Sequence, residues 1–128
     1  MSAKPRFLTK SLYKMAISCP TKLYYTRKPT EYADKSLDNP FLRALARGGF
    51  QVGALAKCYF PDGVEVESLD PDVAVAETQR WLNHEDVVIF EAALRHKNLF
   101  VRADILVKKG QQVELIEVKS KSADPQTF

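Results

Sequence analysis

The fold is decided by residues 87–119: Val87-Val88-Ile89-Phe90-Glu91-Ala92-Ala93-Leu94-Arg95-His96-Lys97-Asn98-Leu99-Phe100-Val101-Arg102-Ala103-Asp104-Ile105-Leu106-Val107-Lys108-Lys109-Gly110-Gln111-Gln112-Val113-Glu114-Leu115-Ile116-Glu117-Val118-Lys119. Three apolar runs, over 87–94, 99–107 and 113–119, are rich in residues that suit a pleated surface. His96-Lys97-Asn98 and Lys109-Gly110-Gln111 separate them and read as hairpin turns, the second with Gly where a tight turn wants it. Each run carries one acid, Glu91, Asp104 or Glu117, at equal spacing. Acids are poor strand residues, and burying their charge is costly without a partner or a metal.

Two-residue loops at Lys97-Asn98 and Gly110-Gln111 place Glu91 opposite Asp104 and Asp104 opposite Glu117. The three acids then form one row on one face, whereas a loop of odd length scatters them between faces. Like charges directly opposite one another repel unless a cation lies among them or their pKa values rise. Carboxylates suit hard cations such as Mg²⁺ or Mn²⁺. Lys119 shares the face of Glu117, and Arg102 falls opposite Lys119, so a row of bases borders the acids. That layout suits metal-assisted phosphoryl chemistry. The competing reading is the solvent face of an antiparallel sheet. The apolar neighbours Leu106, Val113 and Leu115 argue against it.

Upstream the pattern is helical. Ser11 is a cap for a helix over Leu12 to Ser18, ended by Pro20. Residues 26–37 read as a loop. Asn39-Pro40 starts a helix running from Phe41 toward Tyr59, in which Gly48, Gly49 and Gly53 suggest a break or a close backbone approach. Pro61-Asp62-Gly63 is a turn, Val64-Glu65-Val66 a short strand, and Asp70-Pro71 starts a helix reaching about Leu82. The order is α, α, β, α, β, β, β. His84 and His96 read as surface or loop residues and Trp81 as core.

At 128 residues the chain is long enough for one domain with a core, and its 45% apolar and 27% charged composition is that of a globular protein. The N-terminus lacks the apolar core of a secretory signal, and no apolar run reaches membrane-span length. Two cysteines, Cys19 and Cys58, are too few for a disulfide scaffold, so the expected compartment is the cytoplasm. The net charge of +3 is weak evidence for nucleic acid. Basic residues including Lys10, Lys22 and Arg27 nonetheless crowd the first thirty positions, interleaved with Tyr13, Tyr24 and Tyr25. Such a mixture suits phosphates and stacked bases, or equally a solvated helix face.

An Asp, a short hairpin, then Glu-x-Lys at the end of an apolar strand resembles the PD-(D/E)xK nuclease superfamily, and Asp104 with Glu117-Val118-Lys119 matches that pattern. Ser11-Leu12-Tyr13 through Cys19-Pro20 and Leu23-Tyr24-Tyr25 resembles the N-terminal helix of its RecB-like branch. Gly49-Phe50-Gln51-Val52-Gly53 resembles the glycine-led helix of that branch. The match covers Lys10 to Lys121. It is most similar to the nuclease-like N-terminal part of the family called domain of unknown function 2779, whose members often continue into further sequence.

The resemblance implies an α/β, restriction-endonuclease-like single domain over 1–128. Its N-terminal helices would pack on a three-stranded antiparallel meander, with the C-terminal part of the core, a further helix and strand, missing because only Ser120 to Phe128 follows the Glu-x-Lys strand. It implies hydrolysis of phosphodiester bonds in DNA, with RNA as the second choice of substrate. Asp104, Glu117 and the Val118 carbonyl would hold Mg²⁺ or Mn²⁺, and Lys119 would orient the attacking water. Many members carry a histidine where Gly53 stands, and Glu91 would supply the missing oxygen. Arg102, Lys121, Lys22 and Arg27 are the candidate nucleic-acid contacts. Cys19 matches the first ligand of an iron–sulfur cluster found in some relatives, and is otherwise a small buried residue. The other three ligands have no counterpart, so a cluster is expected only in a longer chain. The alternative is an inactive nucleic-acid-binding or assembly module that keeps the fold. A homo-oligomer would cover the sheet edge left by the missing strand, and a larger parent protein is the other expected context.

Overall fold

The computed structural model describes residues 6–32 and 38–120. Lys121, one of the expected nucleic-acid contacts, lies outside them, as do residues 33–37 of the expected loop. The described residues form a mixed α/β arrangement of four helices and a five-stranded sheet. In chain order they are β1 (Leu8–Thr9), α1 (Lys10–Ser18), α2 (Pro20–Thr26), α3 (Pro40–Lys57), β2 (Val64–Glu65), α4 (Pro71–Leu82), β3 (Asp86–His96), β4 (Leu99–Lys109) and β5 (Gln112–Ile116).

The helix starts follow side-chain capping. Asn39 Oδ1 accepts from the Phe41 N–H at 2.9 Å, and Asp70 Oδ1 accepts from Asp72 and Val73 at 2.9 and 3.1 Å. A proline follows each cap at the first helical position, where its missing N–H costs nothing. At α1 the cap is Thr9 rather than Ser11: Thr9 Oγ1 accepts from the Leu12 N–H, because the helix begins at Lys10. Pro20 ends α1 and also opens α2, with Cys19 extended between them as a residue before proline prefers to be. The glycines do not break α3, which is continuous from Pro40 to Lys57. A Cβ at Gly49 or Gly53 would meet nothing within 4 Å. The close approach occurs instead at Gly63, where a Cβ would collide with the Phe90 ring.

The two hairpins have the expected register. His96 pairs with Leu99 across Lys97-Asn98, and Lys109 pairs with Gln112 across Gly110-Gln111. Lys97 and Gly110 both take the left-handed φ such tight turns require, 54° and 57°. The sheet is wider than a three-stranded meander, because β2 adds to β3 and β1 adds to β4, both in parallel.

Two cores form, one on each side. On one face α4 covers Ile89, Ala93 and Leu106, with Val66 and Ala74 also fully enclosed. On the other, Ala56 and Phe60 at and just beyond the end of α3 pack on Phe90, Ile105 and Val107. Ile89 and Phe90 are successive strand residues, so they point to opposite faces.

β3 occupies one edge of β4 along its length. β1 and β5 therefore share the other edge: β1 at Leu99 and Phe100, β5 from Ile105 to Lys109. Among the described residues no strand covers that edge from Val101 to Asp104. β1 runs parallel to β4 and β5 antiparallel, so both chains leave the sheet at this gap.

Candidate functional site

Asp104 stands at the gap. Its neighbour Ile105 makes the last β4–β5 pair, with Ile116, and the expected pair of Asp104 with Glu117 does not form. Instead Asp104 Oδ2 accepts the Val118 N–H at 2.7 Å. A side chain has replaced a backbone acceptor, and β5 peels away from β4 at that point. The β3–β4 ladder is interrupted at the same level. Phe90 pairs with Ile105 and Ala92 with Ala103, but Glu91 and Asp104 between them are not paired. Glu91 takes a φ of 56°, which is uncommon for a residue with a side chain.

The register is thus as expected, yet the acids do not form one continuous row. The ladder yields at each place where two carboxylates would face each other, as like-charge repulsion favours. Two clefts result, and Asp104 lines both. One, of about 420 Å³, also contains Glu91, Val118 and Lys57, with Ala46, Gly49, Phe50, Gly53 and Ala54 of α3 as its wall. The other, of about 230 Å³, contains Glu117, Lys10 and Arg102.

Glu117 is exposed. Its Oε1 is held by the ammonium groups of Lys10 and, at 2.5 Å, Lys119. Lys10 begins α1 and reaches Glu117 because β1 docks on β4 just before the gap. Lys57, on the α3 side, pairs with Glu65 at 2.5 Å. Lys57 did not stand out in the sequence, and Lys10 stood out only as one basic residue among those crowding the first thirty positions. A two-residue strand has no periodicity to read, and Lys57 is one of three cations on its helix, with Arg43 and Arg47.

Arg102 does not extend a row of bases. Its guanidinium donates to the carbonyls of Glu91, Ser68 and Val66 at 3.3, 2.8 and 2.8 Å, and lies 3.9 Å from the Glu91 carboxylate. It braces the chain after β2 against the irregular part of β3. Lys22 lies on α2 and Arg27 caps its C-terminal end; both are exposed and neither lines the two clefts. Cys19 and Cys58 are free thiols. The Lys22 backbone N–H, with smaller help from Thr21, holds the Cys19 thiol below its ordinary pKa against the opposing effect of burial.

Among the described residues, no group of three or more His, Cys, Asp or Glu side chains is gathered as a metal cage. The oxygen donors present still suit a hard cation of the Mg²⁺ type, which is commonly bound through one or two carboxylates plus substrate phosphates and waters. Asp104 and Glu117 line one cleft, and the Val118 backbone is fixed beside them. None of the described helices is long and apolar enough to cross a membrane. Comparisons with protein-family models, curated proteins and solved structures returned no match.

Proposed function

We propose that this chain is a metal-dependent nuclease of the PD-(D/E)xK superfamily, RecB-like branch, with a restriction-endonuclease-like core, hydrolysing phosphodiester bonds in DNA. The observation that carries this reading is the opening of the β4–β5 ladder. Asp104 takes the Val118 N–H at 2.7 Å and so ties itself to the Glu117-Val118-Lys119 segment where the segment leaves the sheet.

In this reading Asp104, Glu117 and the Val118 carbonyl would hold Mg²⁺ or Mn²⁺, and Glu91 would assist from the neighbouring cleft. The ion would neutralise charge on the phosphate when bound. The Val118 N–H keeps Asp104 oriented. Lys119 turns from Glu117 to orient the attacking water. Water oxygen bonds to phosphorus and gives up a proton to solvent, the bond to the leaving sugar oxygen breaks and that oxygen takes up a proton from solvent, and no covalent intermediate with the protein forms.

One observation favours the alternative, an inactive DNA-binding or assembly module: two ammonium groups already neutralise Glu117. Mn²⁺ and Mg²⁺ titration followed by thermal shift separates the readings, together with cleavage of single- and double-stranded DNA. The nuclease is expected to gain stability with metal and to cut. Asp104→Ala is expected to abolish the metal response and lower cleavage at least about a hundredfold, as loss of a group stabilising developing charge does. A folded sample with no metal response overturns the enzyme reading.

A further inference from the structure

Lys10 is separated from Glu117 by nearly the whole described chain, yet the two meet across the uncovered stretch of β4. Lys10 also lines the cleft that holds Asp104 and Glu117. Exposed ion pairs contribute little to stability, and both partners here are nearly half exposed, 46% and 44%. A weak pair at the mouth of a site is easily exchanged. With Lys119 on the same oxygen, two positive charges meet one negative charge, and the excess is positive.

We propose that Lys10 is a positioning residue of this site, holding Glu117 in place without a divalent cation and binding a DNA phosphate once the cation is present. The inference rests on the nuclease reading above. When Glu117 turns its carboxylate to a divalent cation, Lys10 and Lys119 lose their shared anion and are repelled by the new charge. Lys10 has a flexible stem and an exposed head, and a substrate phosphate at the cleft mouth is then its nearest available anion. Lys10 therefore opposes cation binding and favours DNA binding, two effects of opposite sign from one side chain.

The test compares wild type with Lys10→Met, Lys10→Gln and Lys10→Arg. Mn²⁺ affinity is read by thermal shift on metal-free protein. Affinity for a fluorescein-labelled DNA duplex is read by anisotropy in Ca²⁺ over a range of salt. Both neutral variants are expected to bind Mn²⁺ about fivefold more tightly, the size of a nearby screened charge. They are also expected to bind the duplex more weakly, with the salt slope reduced by about one. Lys10→Arg should keep wild-type behaviour in both. If wild type binds Mn²⁺ and either quantity is unchanged in the neutral variants, the role of Lys10 is overturned while the metal site stands. If wild type binds no divalent cation, the nuclease reading fails and takes the proposal with it.

Discussion

Helices α4 and α3 cover opposite faces of one sheet but are attached to it differently. α4 places Ala74 and Thr78 in fully buried positions. The Thr78 hydroxyl donates to the Ala74 carbonyl at 2.8 Å and accepts the Ala93 N–H at 2.9 Å, so a buried polar group is satisfied in both its roles. Arg95 adds an ion pair to Asp72 at 2.6 Å. α3 is longer and has no fully buried residue. Phe41, Leu45, Phe50 and Leu55 are exposed, and its wall toward Glu91 and Asp104 combines the small residues Ala46, Gly49, Gly53 and Ala54 with Phe50 and Lys57. One face is packed for stability. The other leaves room beside the carboxylates.

Three substitutions would break or sharpen this contrast. Leu106, 1% exposed on the α4 side, should show the largest effect. Leu106→Ala is expected to cost about 3 kcal/mol through lost burial and a residual cavity, measured by urea unfolding. A loss below about 1 kcal/mol would mean that this face is not the stabilising one.

Thr78→Val keeps the shape but strands the buried Ala93 N–H. It is expected to cost about 2 kcal/mol and to increase hydrogen exchange at Ala93. Unchanged exchange there would remove the proposed tie between α4 and β3.

The smallest effect has the opposite sign. Gly53→Ala lies in a helix interior with open space around the new methyl, so α3 should gain about 1 kcal/mol of helix propensity. A rise in Tm confirms that packing does not demand the glycine, whereas a fall would show contacts closer than the open cleft described above.

The elements that could be read from sequence are those whose cause is local. Asn39-Pro40 and Asp70-Pro71 each supply a cap and a pre-set φ in adjacent residues. The hairpins at Lys97 and Gly110 are set by turn length and by the apolar runs beside them. The features that escaped depend on distant residues. β1 is two residues long and is a strand only because β4 offers an edge. α2 starts at a proline that, read locally, only ends a helix. The register placed Glu91, Asp104 and Glu117 at one level. It could not tell that Asp104 would capture the Val118 N–H, or that Glu91 would turn left-handed. Arg102 reads as one of a row of bases until the carbonyls of Val66 and Ser68, far away in sequence, are brought to it.

The uncovered stretch of β4 also bears on the order in which the molecule is assembled. β3, β4 and β5 are joined by two tight turns, so their pairing closes only short loops and is favoured early. β1 must arrive from the far end of the chain, and the Lys10–Glu117 contact spans 107 positions. The sheet that carries Glu91 and Asp104 can therefore pair before Lys10 reaches Glu117, because that contact needs a far longer loop closure than either hairpin.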